Sequence, residues 1–168
     1  MRKFELEAIT GNVLVNSYPG AFATEVDRVI RQTISGSILH LYSGSSFIGE
    51  VRVDIDHPNA TLNCDVEAFI KDDNRLWDFV ILDPPYQITR TDAKLNGYGI
   101  KGAISANVER RRLIKEYLQK HTENVLWLDQ CAPMIKGFRR QKLWLVLPGA
   151  FKNVRILSWL KREMKPLF

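Results

Sequence analysis

Cysteine and histidine are scarce in this 168-residue chain: Cys64 and Cys131, with His40, His57 and His121. None of the five stands at metal-ligand spacing from another, so no metal site is expected. Both thiols sit in apolar surroundings and are expected to be buried and free. No apolar run approaches the ~20 residues of a membrane helix. The start, Met1-Arg2-Lys3-Phe4-Glu5-Leu6-Glu7, alternates charge and has no signal-like apolar stretch. These absences point to a soluble, cytoplasmic protein with no membrane partner. Repeats and low-complexity linkers are also missing, so residues 1–168 are expected to form one domain.

What is present is unevenly charged. Residues 1–100 hold 9 Lys/Arg against 14 Asp/Glu, a net of −5, and residues 101–168 hold 15 against 5, a net of +10. An acidic first part and a basic last part suit a polyanion binder whose small-ligand pocket is acidic. Nucleic acid, DNA or RNA, is the expected partner.

Apolar runs alternate with helical patterns. Strands are expected at 38–42, 51–55, 60–64, 77–82, 125–128, 142–147 and 154–159, the last two joined by the turn Pro148-Gly149-Ala150. Helices are expected at 23–34, at 66–76 with Asp65 as N-cap, and at 106–120. Strand–helix alternation closed by a β-hairpin predicts an α/β sandwich around a mostly parallel sheet. The polar segment 87–102, with Gly97, Gly99 and Gly102, is long enough to be functional rather than idle.

Chemistry concentrates where strands end. The apolar run Phe79-Val80-Ile81-Leu82 stops at Asp83-Pro84-Pro85-Tyr86. An aryl amine is a poor nucleophile because its lone pair is delocalised into the ring. Asp83 can accept one N–H and the Pro84 carbonyl the other, which turns the lone pair toward an electrophile. Proline fixes φ and restricts the residue before it, so that carbonyl is held stiffly. Tyr86 offers a face on which a base stacks. The other expected strands end in Ser43-Gly44-Ser45-Ser46, in Asp54 or Asp56, and in Asp65. Gly44 permits a tight turn and close ligand approach. A carboxylate at Asp54 or Asp56 can accept two ribose hydroxyls, and Asp65 an adenine amino group.

The ordered set Leu41-Tyr42-Ser43-Gly44-Ser45, Asp54, Asp65-Val66 and Asp83-Pro84-Pro85-Tyr86 resembles the S-adenosylmethionine-dependent amino-methyltransferases of nucleic acids over about residues 14–160. The Asp-Pro-Pro-Tyr element is specific to their amino-group branch, which methylates adenine N6, cytosine N4 and some guanine N2. The resemblance implies a Rossmann-like class I methyltransferase sandwich, a mostly parallel seven-stranded sheet with a C-terminal β-hairpin. It implies S-adenosylmethionine as cofactor. Tyr42, Ser43, Gly44 and Ser45 would lie along its methionine and ribose, Asp54 with Asp56 as understudy would hold the ribose, and Asp65 with the Val66 backbone would read its adenine. Phe22, in Tyr18-Pro19-Gly20-Ala21-Phe22, is the candidate at the methionine end. Asp83, Pro84, Pro85 and Tyr86 would hold the target base, with Asp83 also bordering the cofactor.

Two features depart from the pattern. Only residues 45–50 separate Gly44 from the second strand, where a parallel crossover takes a dozen or more. The first crossover helix is therefore reduced to about one turn, or the first two strands are joined unusually. The chain also has no room for a separate target-recognition domain. Specificity then falls to segment 87–102, the basic C-terminal part, a protein partner or nucleic-acid shape. The expected activity is methylation of an exocyclic base amine, adenine N6 in DNA first. The alternatives are an RNA base, a protein glutamine (where relatives tend to carry Asn at the Asp83 position), and a non-catalytic nucleic-acid-binding or partner subunit. Trp77, Trp127, Trp144, Trp159 and His40 are expected in the core. Arg110-Arg111-Arg112 is expected to be a solvated helix face or a phosphate contact, and Lys136, Arg139 and Arg140, flanking Gly137 in a loop beside the strand ends, are the better phosphate candidates.

Overall fold

The computed structural model describes residues 4–10, 22–85, 108–147 and 154–163. Eight strands among them form one mixed sheet: β1 (Glu5–Thr10), β2 (Ile38–Leu41), β3 (Val51–Asp54), β4 (Leu62–Asn63), β5 (Trp77–Leu82), β6 (Thr122–Asp129), β7 (Phe138–Leu147) and β8 (Arg155–Arg162). Their spatial order is β1-β7-β8-β6-β5-β2-β3-β4. The helices described are α1 (Thr24–Thr33), α2 (Val66–Asp72) and α3 (Val108–His121). The five strands β4-β3-β2-β5-β6 are mutually parallel and follow the 3-2-1-4-5 order of Rossmann-like sheets. β8 lies antiparallel between β6 and β7, and β1 pairs parallel with β7 at the edge.

The expected seven strands are thus corrected to eight of mixed direction, because Glu5–Thr10 is a strand. The turn expected at Pro148-Gly149-Ala150 lies outside the described residues, as does segment 87–102.

The central strands are buried on both faces, which is why they read as unbroken apolar runs. Phe79 and Ile81 pack in one cluster with Val26, Val29 and Ile30 of α1, while Val80 and Leu82 pack in the other with Phe69 of α2 and Ile114 and Leu118 of α3. Trp77, Trp127 and Trp144 are buried and Trp159 half-buried. Asp65 caps α2, its Oδ1 accepting the Glu67 N–H at 2.7 Å.

α2 stops four residues earlier than expected because Asp73 turns inward. Its carboxylate accepts from the Tyr117 hydroxyl (2.5 Å), Trp77 Nε1 (3.1 Å) and Arg75 Nε. Burial pushes the Asp73 carboxyl up, but these three donors outweigh it and hold the group below the usual carboxylate range. Tyr117→Phe removes one of the donors and is expected to cost about 1–2 kcal/mol, read from urea unfolding at pH 7. A cost under a few tenths would exclude this role for the hydroxyl.

The connection from β2 to β3, residues 42–50, contains no helix. The expected one-turn remnant is corrected to a loop with its own bonds. Ser46 N–H donates to the Ser43 carbonyl (3.0 Å), Glu50 N–H to that of Ile38 (3.0 Å), and Arg52 Nη1 to that of Gly49 (2.7 Å). Gly49 has φ +101°, and a Cβ there would stand 3.2 Å from the Ile38 carbonyl oxygen. Ile48 is buried in the α1 cluster, so the loop supplies apolar cover itself. His40 is a core histidine: its Nδ1 lies 3.1 Å from the Ile48 carbonyl, and burial drops its pKa to about 4. The thiols are corrected too, Cys64 being half-buried and Cys131 exposed. No helix among the described residues is long and apolar enough to cross a membrane.

Candidate functional site at the strand-order reversal

The sheet order reverses between β2 and β5, where Leu41 stands opposite Leu82. Open α/β sheets bind ligands outside the carboxyl ends of the strands at such a reversal. Ser43 and Gly44 leave β2 at this rim, Asp54 ends β3, Asp65 follows β4, Asp83 follows β5 and Asp129 ends β6. β8 runs the other way, so its first residue, Arg155, reaches the same rim next to Ile156, the partner of Asp129.

The β2 exit is a strained turn. Tyr42 (φ +58°) and Gly44 (φ +49°) both occupy the left-handed region, and a bulky residue there marks a backbone held by its surroundings. Ser43 N–H continues the ladder to the Val53 carbonyl at 3.1 Å. Gly44 N–H donates to Asp54 Oδ2 at 2.8 Å. The structure therefore brings together two residues named from sequence, the glycine turn and the strand-end acid. The Ser43 hydroxyl is buried and has no hydrogen-bond partner among the described residues.

The other named residues fall as follows. Asp56 is exposed, its N–H 3.5 Å from Asp54 Oδ1. The Ser45 carbonyl accepts from Asn59 Nδ2 at 3.0 Å. Tyr42 packs on the α2/α3 side, where burial, then Asp65, pushes its phenol above the ordinary range. Val66 is buried at the first turn of α2. Phe22 stacks on His40, centroids 5.3 Å apart and rings within 3° of parallel, on the α1 side. Tyr86 lies outside the described residues, as do Tyr18, Pro19, Gly20 and Ala21.

Asp83 is 9% exposed and Pro84 is buried. Burial pushes the Asp83 carboxyl up to about 6; Arg155 pulls it down and Asp129 pushes it further up. Arg155 Nη1 stands 3.9 Å from Asp83 Oδ1. On the next strand, Asp129 is fully buried, accepts from Arg111 Nη1 at 2.7 Å and takes the Gln130 N–H at 2.7 Å. Asp129 and Arg155 escaped the sequence reading, and Arg111 was named there only as part of a solvated or phosphate-binding arginine triplet. The signal for Asp129 was there: it ends Val125-Leu126-Trp127-Leu128 just as Asp83 ends its own apolar run.

The arginines of the triplet are each paired with an acid. Arg110 pairs with Glu67, Arg111 with Asp129, and Arg112 with Glu109 and Glu116. The arginine triplet is thus bound to acids rather than offered as a phosphate-binding face. Lys136, Arg139 and Arg140 lie at the start of β7, where Phe138 faces Arg162, the last residue of β8. That is the opposite end of the strands, a correction to their placement near the site. No protein-family model matches this chain, and no curated protein matches it.

Proposed function

We propose that the chain transfers the methyl group of S-adenosylmethionine to an exocyclic amine of a nucleobase, adenine N6 in DNA before an RNA base. The fold is then a methyltransferase-type Rossmann-like sandwich. The observation that carries this reading is the convergence at one rim of the Gly44–Asp54 contact and the buried Asp83-Pro84 pair.

The residues suit the cofactor. A left-handed glycine with no Cβ, a buried Ser43 hydroxyl unpartnered among the described residues and a half-buried acid at Asp54 suit a nucleoside bearing an amino acid. When bound, the cofactor supplies an electrophilic methyl. Asp54 would hold the ribose hydroxyls, and Asp65 with the Val66 backbone the adenine edge. Asp83, ionised, accepts one N–H of the target amine, and the Pro84 carbonyl accepts the other. Asp83 therefore orients the nitrogen lone pair, and it stays ionised above pH ~6. In duplex DNA the target base is first flipped out, at a few kcal/mol.

Asp54→Ala is expected to weaken S-adenosylmethionine binding about 10- to 100-fold, by calorimetry. An unchanged affinity would remove Asp54 from the site. Transfer of tritiated methyl onto DNA and RNA pools, followed by nucleoside identification, tests the whole reading. N6-methyladenine in DNA is the expected product, and label in neither pool overturns the proposal. The helix-free link between β2 and β3 favours one rival, a non-catalytic nucleic-acid-binding or partner subunit. That rival predicts no cofactor binding at all in the same calorimeter.

A further inference from the structure

Adjacent strand tips carry two Asp–Arg pairs of opposite construction. At β6 the pair is closed: Arg111 donates to Asp129 at 2.7 Å, the carboxylate is fully buried, and its other oxygen takes the Gln130 N–H. At β5 the pair is open. Arg155 stands 3.9 Å from Asp83, beyond hydrogen-bond range, though the two side chains are only 14% and 5% exposed. Side chains alternate along a strand, with Ile81 and Leu157 in the α1 cluster and Leu82 in the opposite one. Asp83 and Arg155 are each two residues from an α1-side position and so share that face.

We propose that Arg155 is a positioning residue that keeps the Asp83 carboxylate charged but uncapped, leaving its oxygens free to accept the N–H of an incoming amine. This rests on the reading of Asp83 given above. A guanidinium in direct contact would occupy the oxygens that the amine needs. One slightly farther away still stabilises the negative charge, because Coulomb attraction falls slowly with distance in a poorly hydrated setting. Arg155 is also too buried to serve mainly as a phosphate contact.

The charged groups acting on Asp83 are Arg155 from β8 and Asp129 from β6. On the α1 side, Glu25 and Asp27 are engaged by Arg28 and Arg31 at the surface, and buried His40 is neutral at working pH. Removing Arg155 therefore leaves burial and Asp129 unopposed, and the Asp83 midpoint moves up.

The test is carbon-detected NMR titration of the Asp83 carboxyl in the free protein, assigned with Asp83→Asn, alongside the pH profile of kcat/KM. In Arg155→Gln the Asp83 midpoint is expected to rise by about one pH unit. Transfer then falls about threefold at pH 6.5 and hardly at all at pH 8.5. Arg155→Lys keeps the charge and is expected to hold the midpoint near that of the parent, and Arg155→Met serves in place of Arg155→Gln if that variant does not fold. An unmoved midpoint in the charge-removing variant, Arg155→Gln or Arg155→Met, overturns the inference. So does a loss of equal size at every pH with a raised KM for nucleic acid, which marks a phosphate contact. A parent protein that transfers no methyl group defeats the proposed activity, yet the titration still decides what Arg155 does to Asp83.

Discussion

Asp83→Ala is expected to lower methyl transfer by about 10²–10³-fold while leaving S-adenosylmethionine affinity within about twofold, since Asp54 and the Gly44 turn are untouched. Asp83→Asn keeps one acceptor oxygen and should fall between. The same residue has a signature in stability. Folding raises its pKa from 3.8 to about 6, chiefly through burial. The folded protein therefore holds this proton more tightly than the unfolded chain does. The stability it contributes is complete below pH ~4 and is lost as pH rises through ~6. At pH 7.5 the ionised carboxylate then costs on the order of 2–3 kcal/mol relative to its neutral form. Asp83→Asn removes that cost, so urea unfolding at pH 7.5 should show a gain of about 1–3 kcal/mol that shrinks toward pH 4. Loss of activity with a gain in stability separates a working group from a packing one. A destabilised Asp83→Asn at pH 7.5 would refute the assignment.

The second large effect is at the neighbouring strand tip. Arg111→Met leaves Asp129, fully buried, without the guanidinium that neutralises it. Breaking such a pair from one side costs roughly 3–5 kcal/mol, a large share of the ~5–15 kcal/mol that holds a domain together. Thermal and urea unfolding should both register it. The double variant Arg111→Met/Asp129→Asn should recover most of the loss, because both charges of the pair are then removed together. A single variant within about 1 kcal/mol of the parent would mean that the pair contributes little.

The central strands and the N-cap at Asp65 were legible in the sequence because each declares itself locally. Buried parallel strands are unbroken apolar runs, and a cap is a short polar residue before a helical pattern. β1 was not legible. Only Ile9 of its six residues is buried, and its hold on the sheet is the β7 ladder with Glu5 and Glu7 bracketing Lys142 at 3.1 and 2.8 Å. Nothing in Glu5-Leu6-Glu7-Ala8 shows that partner, which is far along the chain. The arginine triplet misled for a related reason. Successive helix positions point about 100° apart, so three adjacent arginines diverge and each finds a different acid. In the candidate site, Gly44, Asp54 and Asp83 were legible as strand-end residues. Arg155 was not, because its role depends on β8 running antiparallel between β6 and β7.

The link between β2 and β3 has a consequence for ligand choice. Nicotinamide and flavin dinucleotides seat their pyrophosphate on the free N–H groups at the start of the helix after the first strand. Residues 42–50 supply no such helix, and the amides of Gly44, Ser46 and Glu50 are already taken by Asp54, Ser43 and Ile38. Among the described residues, this link therefore offers a pyrophosphate no helix N-terminus, and acids stand at the neighbouring strand tips. A phosphate-free molecule bearing positive charge meets no such penalty.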